Sequence, residues 1–177
     1  YFGDLCKVNK KIGLAVYKNY IDAISMYLKK LGININTSPV LDLWYKKADK
    51  IIGNRSYSEN PTIVNLLGRF CIKSYMKNKI ASVIKHIPGH GRANTDSHFD
   101  LPIVKNDLKF LKKNDFKCFK NLNSHFAMTA HILYNKIDSK NNATHSKILI
   151  KKIIRKEIGF KGILISDDIS MKALRYD

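Results

Sequence analysis

The chain has 177 residues, 45% of them apolar, and a formal net charge of +18; that length and apolar content suit one domain with its own core and exclude a disordered chain. The charge raises nucleic acid or an anionic membrane as partners, but 27 of the 32 cations are Lys, scattered along every segment, whereas phosphate-reading surfaces favour the planar fork of Arg. Lys, Ile and Asn, which share AT-rich codons, make up 66 residues, so genome composition accounts for the charge more simply than a nucleic acid does.

Cys6, Cys71 and Cys118 are odd in number, widely spaced and form no metal-type pair, which fits reduced thiols in a cytosolic, cytoplasmic protein. No run approaches the roughly 20 apolar residues of a membrane-spanning helix, so no membrane is expected. The first residue is Tyr rather than Met, so the natural start is expected upstream, together with any signal peptide.

In chain order, Ile12, Ala15, Val16, Tyr20, Ile24, Tyr27, Leu28 and Leu31 recur at helical spacing and predict a helix from Val8 to Leu31, stopped by Gly32. A strand is predicted from Ile33 to Val40, leading to Asp42 and a basic loop. Asn60-Pro61 starts a helix with Ile63, Leu66, Leu67, Phe70 and Tyr75 on its buried face. A second strand, Ile80 to Ile84, precedes a His-rich loop, after which Asn106-Asp107 opens a helix carrying Leu108, Leu111 and Phe119. Phe126 to Ala130 is a strand ending at His131; Ser146 caps a helix from Lys147 to Ile158 that Gly159 closes. The last strand, Gly162 to Ile165, should be buried and ends in Ser166-Asp167-Asp168.

Helix and strand thus alternate with no break in composition, the pattern of parallel strands with crossover helices, so the expectation is one α/β domain without a linker. In such folds the loops leaving the C-terminal strand ends build the active site, and all four predicted strands end in polar groups: Asp42, Lys85-His86, His131 and Asp167. The loop from Lys85 to His98 holds His86, His90, His98 and Asp96 among Pro88, Gly89 and Gly91, a composition that lets ionisable side chains converge outside regular structure. A strand-end Asp with a loop Asp-x-His suits a nucleophile plus a general acid/base. Asp96 also reads as a turn residue after Asn94-Thr95. His86, His90, Asp96 and His98 are zinc-ligand types, but Pro88-Gly89 prevents the helix that would point the first two one way, and no metal is expected.

Lys85-His86-Ile87-Pro88-Gly89-His90-Gly91, then Asp96-Ser97-His98, then Ile165-Ser166-Asp167-Asp168-Ile169-Ser170-Met171 resembles the family 3 glycoside hydrolases, in particular their bacterial exo-β-N-acetylglucosaminidase (β-N-acetylhexosaminidase) branch. The likeness runs over nearly the whole chain and includes Ser38-Pro39-Val40-Leu41-Asp42, Gly53-Asn54-Arg55-Ser56-Tyr57, Ala130-His131 and Gly159-Phe160. The Asp-Ser-His element separates this branch from the β-glucosidases of the family. The resemblance implies the central part of a (β/α)8 barrel with about four βα units visible. Such a barrel typically takes about 250 residues, so residues 1–177 are expected to be one catalytic domain truncated at both ends. An acidic Asp-x-Glu-Gly-Gly-type segment of the family finds no match before Tyr1.

It further implies a retaining hydrolase that releases terminal β-linked N-acetylglucosamine from peptidoglycan fragments, with no cofactor and a small carbohydrate as partner. Asp167 would form the covalent glycosyl-enzyme, His98 would act as acid/base and Asp96 would orient the imidazole. Asp168 competes for the nucleophile role, but the family pattern places the nucleophile directly after Ser. Arg55, Lys85 and His86 would hold sugar hydroxyls, with His131 near the site; Arg55 also reads as a surface ion pair and His131 as a structural histidine. His90 reads as support for its loop, and His125 and His145 as surface residues. The rival readings are an inactive remnant of such an enzyme and a basic binding module.

Overall fold

The computed structural model describes residues 1–46, 48 and 51–174. Its elements are α1 (Phe2–Val8), α2 (Lys10–Lys30), β1 (Ile35–Asn36), α3 (Pro61–Lys77), β2 (Ala81–Ile87), β3 (Ile103–Val104), α4 (Leu108–Lys113), β4 (Phe126–Thr129), β5 (Leu133–Tyr134), a π-wound helix (Leu149–Glu157) and β6 (Ile163–Ser166). Strands β1, β2, β4 and β6 lie side by side in that order, each pair parallel. This is an α/β fold consistent with part of a (β/α)8 barrel. Helix starts follow the local chemistry: Asn60 accepts the Thr62 N–H at 2.8 Å with Pro61 in the first turn, Asp107 accepts from Phe110 at 2.8 Å, and Ser146 accepts from Leu149 at 3.0 Å. Each such cap contributes about 1 kcal/mol.

Several elements depart from expectation. The helix predicted over Val8–Leu31 is α2, which starts two residues later because Asn9 is extended and caps it by accepting the Ile12 N–H at 3.1 Å; α1, just before it, was not expected. The apolar residues at helical spacing divide on folding: Ile24 and Leu28 pack against the core beside the inward-facing Gly13, Tyr17, Ile21 and Ser25, while Ile12, Val16, Tyr20, Tyr27 and Leu31 stay exposed. Close approach decides this. A Cβ on Gly13 would stand 2.7 Å from the backbone nitrogen of Cys6, so the small residue lets α1 press against α2 and fixes which row packs.

The first strand shrinks to two residues because Pro39 has no N–H to give a ladder; pairing resumes only as an isolated Val40–Lys85 bridge. By contrast β2 runs on to Ile87, so Lys85 and His86 lie on the strand itself, and its register with β4 skips His86, as at a bulge. The third predicted helix stops at Lys113, and Phe116–Phe119 forms a separate buried 3-10 turn. The two-residue pair β3–β5 gave no periodic signal. The predicted burial of the last strand is wrong: β6 is an outer strand, and Ile163 is 59% exposed.

One apolar core, including Leu41, Leu43, Ile84, Ile87, Ala127, Leu149 and Ile154, packs around the sheet; a smaller one, with Tyr17, Ile21, Leu67, Cys71 and Tyr75, joins α2 to α3. Full burial of such side chains contributes roughly 1.5–3 kcal/mol each, and the larger core, through Leu41, Ile87 and Ala130, lies beside the strand ends from which the polar groups emerge. No helix among the described residues is long and apolar enough to cross a membrane.

Candidate active site

The site is built around a carboxylate that the sequence singled out only as a strand-end polar residue. Asp42 is fully buried and accepts the backbone N–H of His90 at 2.6 Å, the backbone N–H of His86 at 3.2 Å and His86 Nδ1–H at 2.6 Å. Burial works to raise its pKa, but the His86 ring and the His90 N–H outweigh burial and hold the carboxyl below the usual range. A buried carboxylate is tolerated because each oxygen has a donor. The result is a fixed His86 ring, whose other nitrogen, Nε2, lies 3.7 Å from Asp167 Oδ2. The cue in the sequence was an acid at the end of one predicted strand, followed by two histidines four apart at the end of the next strand and in the loop after it.

His90 is 2% exposed and contacts Ser97 Oγ at 3.3 Å, so it lies inside the loop, as its sequence context suggested. Burial, helped by the neighbouring His86, pushes its pKa down to about 4, which keeps the ring neutral. Further along, the loop turns outward. Asp96 Oδ1 accepts both the backbone N–H of His98 at 2.8 Å and its ring Nδ1–H at 2.6 Å, and the His98 side chain is 53% exposed. Burial opposes ionisation of Asp96, but these two bonds hold it below the usual carboxylate range. With Nδ1 occupied, Nε2 is the nitrogen that can exchange a proton with an incoming molecule.

Asp167 and Asp168 follow β6. The Asp167 side chain is 20% exposed and its Oδ1 accepts the Asp168 N–H at 2.9 Å. Asp168 is solvent-facing; the Ser170 N–H and hydroxyl hold its carboxyl low, with smaller help from His98 and His131. This turn is tied to the histidine loop, because the Ala173 N–H donates to the Ser97 carbonyl at 3.2 Å. His131 is buried and spent on protein partners: Thr144 Oγ1 lies 2.8 Å from Nδ1, and Nε2–H donates to the Asp168 carbonyl at 3.1 Å. It braces the turn from behind, the structural alternative for this residue.

Lys85 bonds Thr37 Oγ1 at 3.3 Å, and burial followed by the charge of Arg55 lowers its pKa, while Asp167 and Asp42 pull the other way. Arg55 is exposed, donates to the Ile51 carbonyl at 2.6 Å, and borders a cleft of about 290 Å³ lined also by Tyr17, Ser38, Val40 and Tyr57. The structure therefore draws Lys85, His86, Asp167 and His131 to one end of the sheet, sets Asp96 and His98 on the adjoining loop and leaves Arg55 at the rim. His125 and His145 are exposed. Among the described residues no group of His, Cys, Asp or Glu is arranged to hold a metal ion.

Residues 9–176 match the Glycosyl hydrolase family 3 N terminal domain. A β-hexosaminidase of Neisseria meningitidis is 38% identical over 148 residues, covering 82% of this chain and 40% of the relative. The structure of NagZ from Neisseria gonorrhoeae in complex with N-trifluoroacetyl-D-glucosamine superposes with a TM-score of 0.88 at 32% identity, over 96% of this chain and 50% of that one. A family 3 β-N-acetylglucosaminidase of a Paenibacillus species gives a TM-score of 0.86 at 30% identity, over 91% of this chain and 31% of that one. The chain thus spans half or less of the length of these relatives.

Proposed function

The chain belongs to glycosyl hydrolase family 3, and on that premise we propose that it carries the reacting groups of a retaining β-N-acetylglucosaminidase acting on terminal β-linked N-acetylglucosamine of cell-wall fragments. The observation that supports this most is the 2.6 Å bond from His98 Nδ1–H to Asp96, in a loop joined through Ser97 to the segment after Asp167. Most glycosidases place two carboxyl groups across the scissile bond; here an imidazole held by a carboxylate takes the place of one. An Asp167 oxygen attacks the anomeric carbon as the bond to the leaving oxygen breaks, and His98 Nε2–H gives that oxygen its proton. In the second step His98 Nε2 takes a proton from water, whose oxygen attacks the same carbon and releases Asp167. Asp96 stabilises the imidazolium that precedes the first step and follows the second, and the ring is neutral in between.

Lys85, His86 and Arg55 supply donors for the sugar hydroxyls, and His131 acts through the Asp168 carbonyl. The ligand named for the Neisseria gonorrhoeae protein supports the sugar class. Three free cysteines, two of them buried, support a cytoplasmic setting, and a match running from residue 9 to residue 176 supports one catalytic domain.

The test is trapping. Intact mass after reaction with a slowly released fluorinated N-acetylglucosaminyl donor should rise by one sugar, and Asp167→Asn should not label. An intact protein that neither hydrolyses an aryl N-acetylglucosaminide nor labels would instead be an inactive remnant.

A further inference from the structure

Arg92 lies in the histidine loop between His90 and Asp96, yet its side chain is only 17% exposed. Nε donates to Asp115 Oδ2 at 2.8 Å and Nη2 donates to the Tyr45 hydroxyl. The guanidinium sits 3.8 Å from the centre of the Tyr45 ring and 4.5 Å from that of Phe110. Asp115 is 3% exposed; burial pushes its carboxyl up, and the Arg92 charge is the chief opposing influence. The same carboxylate side chain meets the loop a second time. Gly89 has φ +143, and a Cβ there would stand 3.0 Å from Asp115 Cβ, so the backbone of the loop rests directly on it.

A buried ion pair adds little net stability, because desolvation offsets most of the attraction, but breaking one side of it is costly. What the pair does supply is geometry: a planar cation between two rings and one carboxylate has few alternative placements. It acts at the root of the loop, while Asp96 and His98 stand at the exposed tip. We propose that the Arg92–Asp115 pair is a clasp that fixes the root of this loop, which makes Arg92 a positioning residue for the His98 imidazole. The proposal rests on His98 being the acid/base. Loosening the clasp should cost proton delivery while leaving sugar binding by the β2 residues in place, so kcat falls and KM does not move.

The variant of choice is Arg92→Met with Asp115→Leu, which removes both charges and leaves neither stranded. In the intact protein, hydrogen exchange at the Ala93 and His98 amides should quicken about tenfold while β2 and β4 amides keep their rates. With a poor leaving group kcat/KM should fall about tenfold, and with a nitrophenyl leaving group kcat/KM, which reports only the first step, should hardly change. Arg92→Lys, which keeps the charge, should recover part of both effects and serves as the reading if the double variant does not fold. Unchanged loop exchange, or equal acceleration in loop and strands, would overturn the clasp. Absence of hydrolysis in the unaltered protein would sink the enzymatic reading, while the exchange data would still decide on the clasp.

Discussion

The histidine loop has two halves of opposite character. Its root, from His86 to Ala93, is closed over Asp42 and Asp115: His86, His90 and Ala93 are each at most 6% exposed, and His90 is held neutral. Its tip, from Asn94 to His98, is exposed at Asn94 and His98 and holds its own Asp–His pair, anchored through the buried Ser97. In the proposed reaction the difference separates two tasks. A group that grips sugar gains from being fixed before the ligand arrives, whereas a group that both gives and takes a proton needs water and a ring whose two states are both accessible.

The largest break in this picture should come from outside the loop. Asp167→Asn should lower turnover by at least about 10³-fold, as expected for a nucleophile, whereas Asp168→Asn should cost less than about tenfold, since its carboxylate caps the turn through Ser170. A more damaging Asp168 change would transfer the nucleophile to that residue. Next comes the tip. His98→Ala should slow substrates with poor leaving groups by about 10² to 10⁴-fold and activated aryl glycosides far less; equal losses on both would remove His98 from the acid role.

Substitution at the root should act on stability before rate. Asp42→Ala strands buried donors on His86 and His90, so unfolding in urea should reveal a loss of about 3–5 kcal/mol. The same cut at the tip, Asp96→Ala, should leave the melting curve within about 1 kcal/mol, because that pair is exposed. The root also governs acid stability. The folded His90 titrates near 4 because burial and then His86 resist its charge, against about 6.5 when unfolded. The unfolded chain therefore binds the extra proton between these values, so stability is full above about pH 6.5 and falls by roughly 3 kcal/mol as pH drops to 4 and below. His90→Asn should flatten that part of the profile; an unaltered slope would place the acid sensitivity elsewhere.

Local chemistry determined much by itself. The caps at Asn60, Asp107 and Ser146, the parallel alternation of strands and the polar strand ends are set by near neighbours in sequence, and so is the Asp96–His98 pair, whose members stand two residues apart. Only tertiary structure decided what depends on distant approach. Gly13 against Cys6 chose the buried face of α2, of which apolar spacing gave only part. Outer placement exposed β6, whose apolar residues look buried when read as a run. Asp42 meets His86 across 44 residues and Arg92 meets Asp115 across 23, and no periodicity reports which buried charges will find partners. Hydrophobic spacing encodes which faces can be buried, whereas burial of an ion is permitted only by a partner that the folded chain delivers.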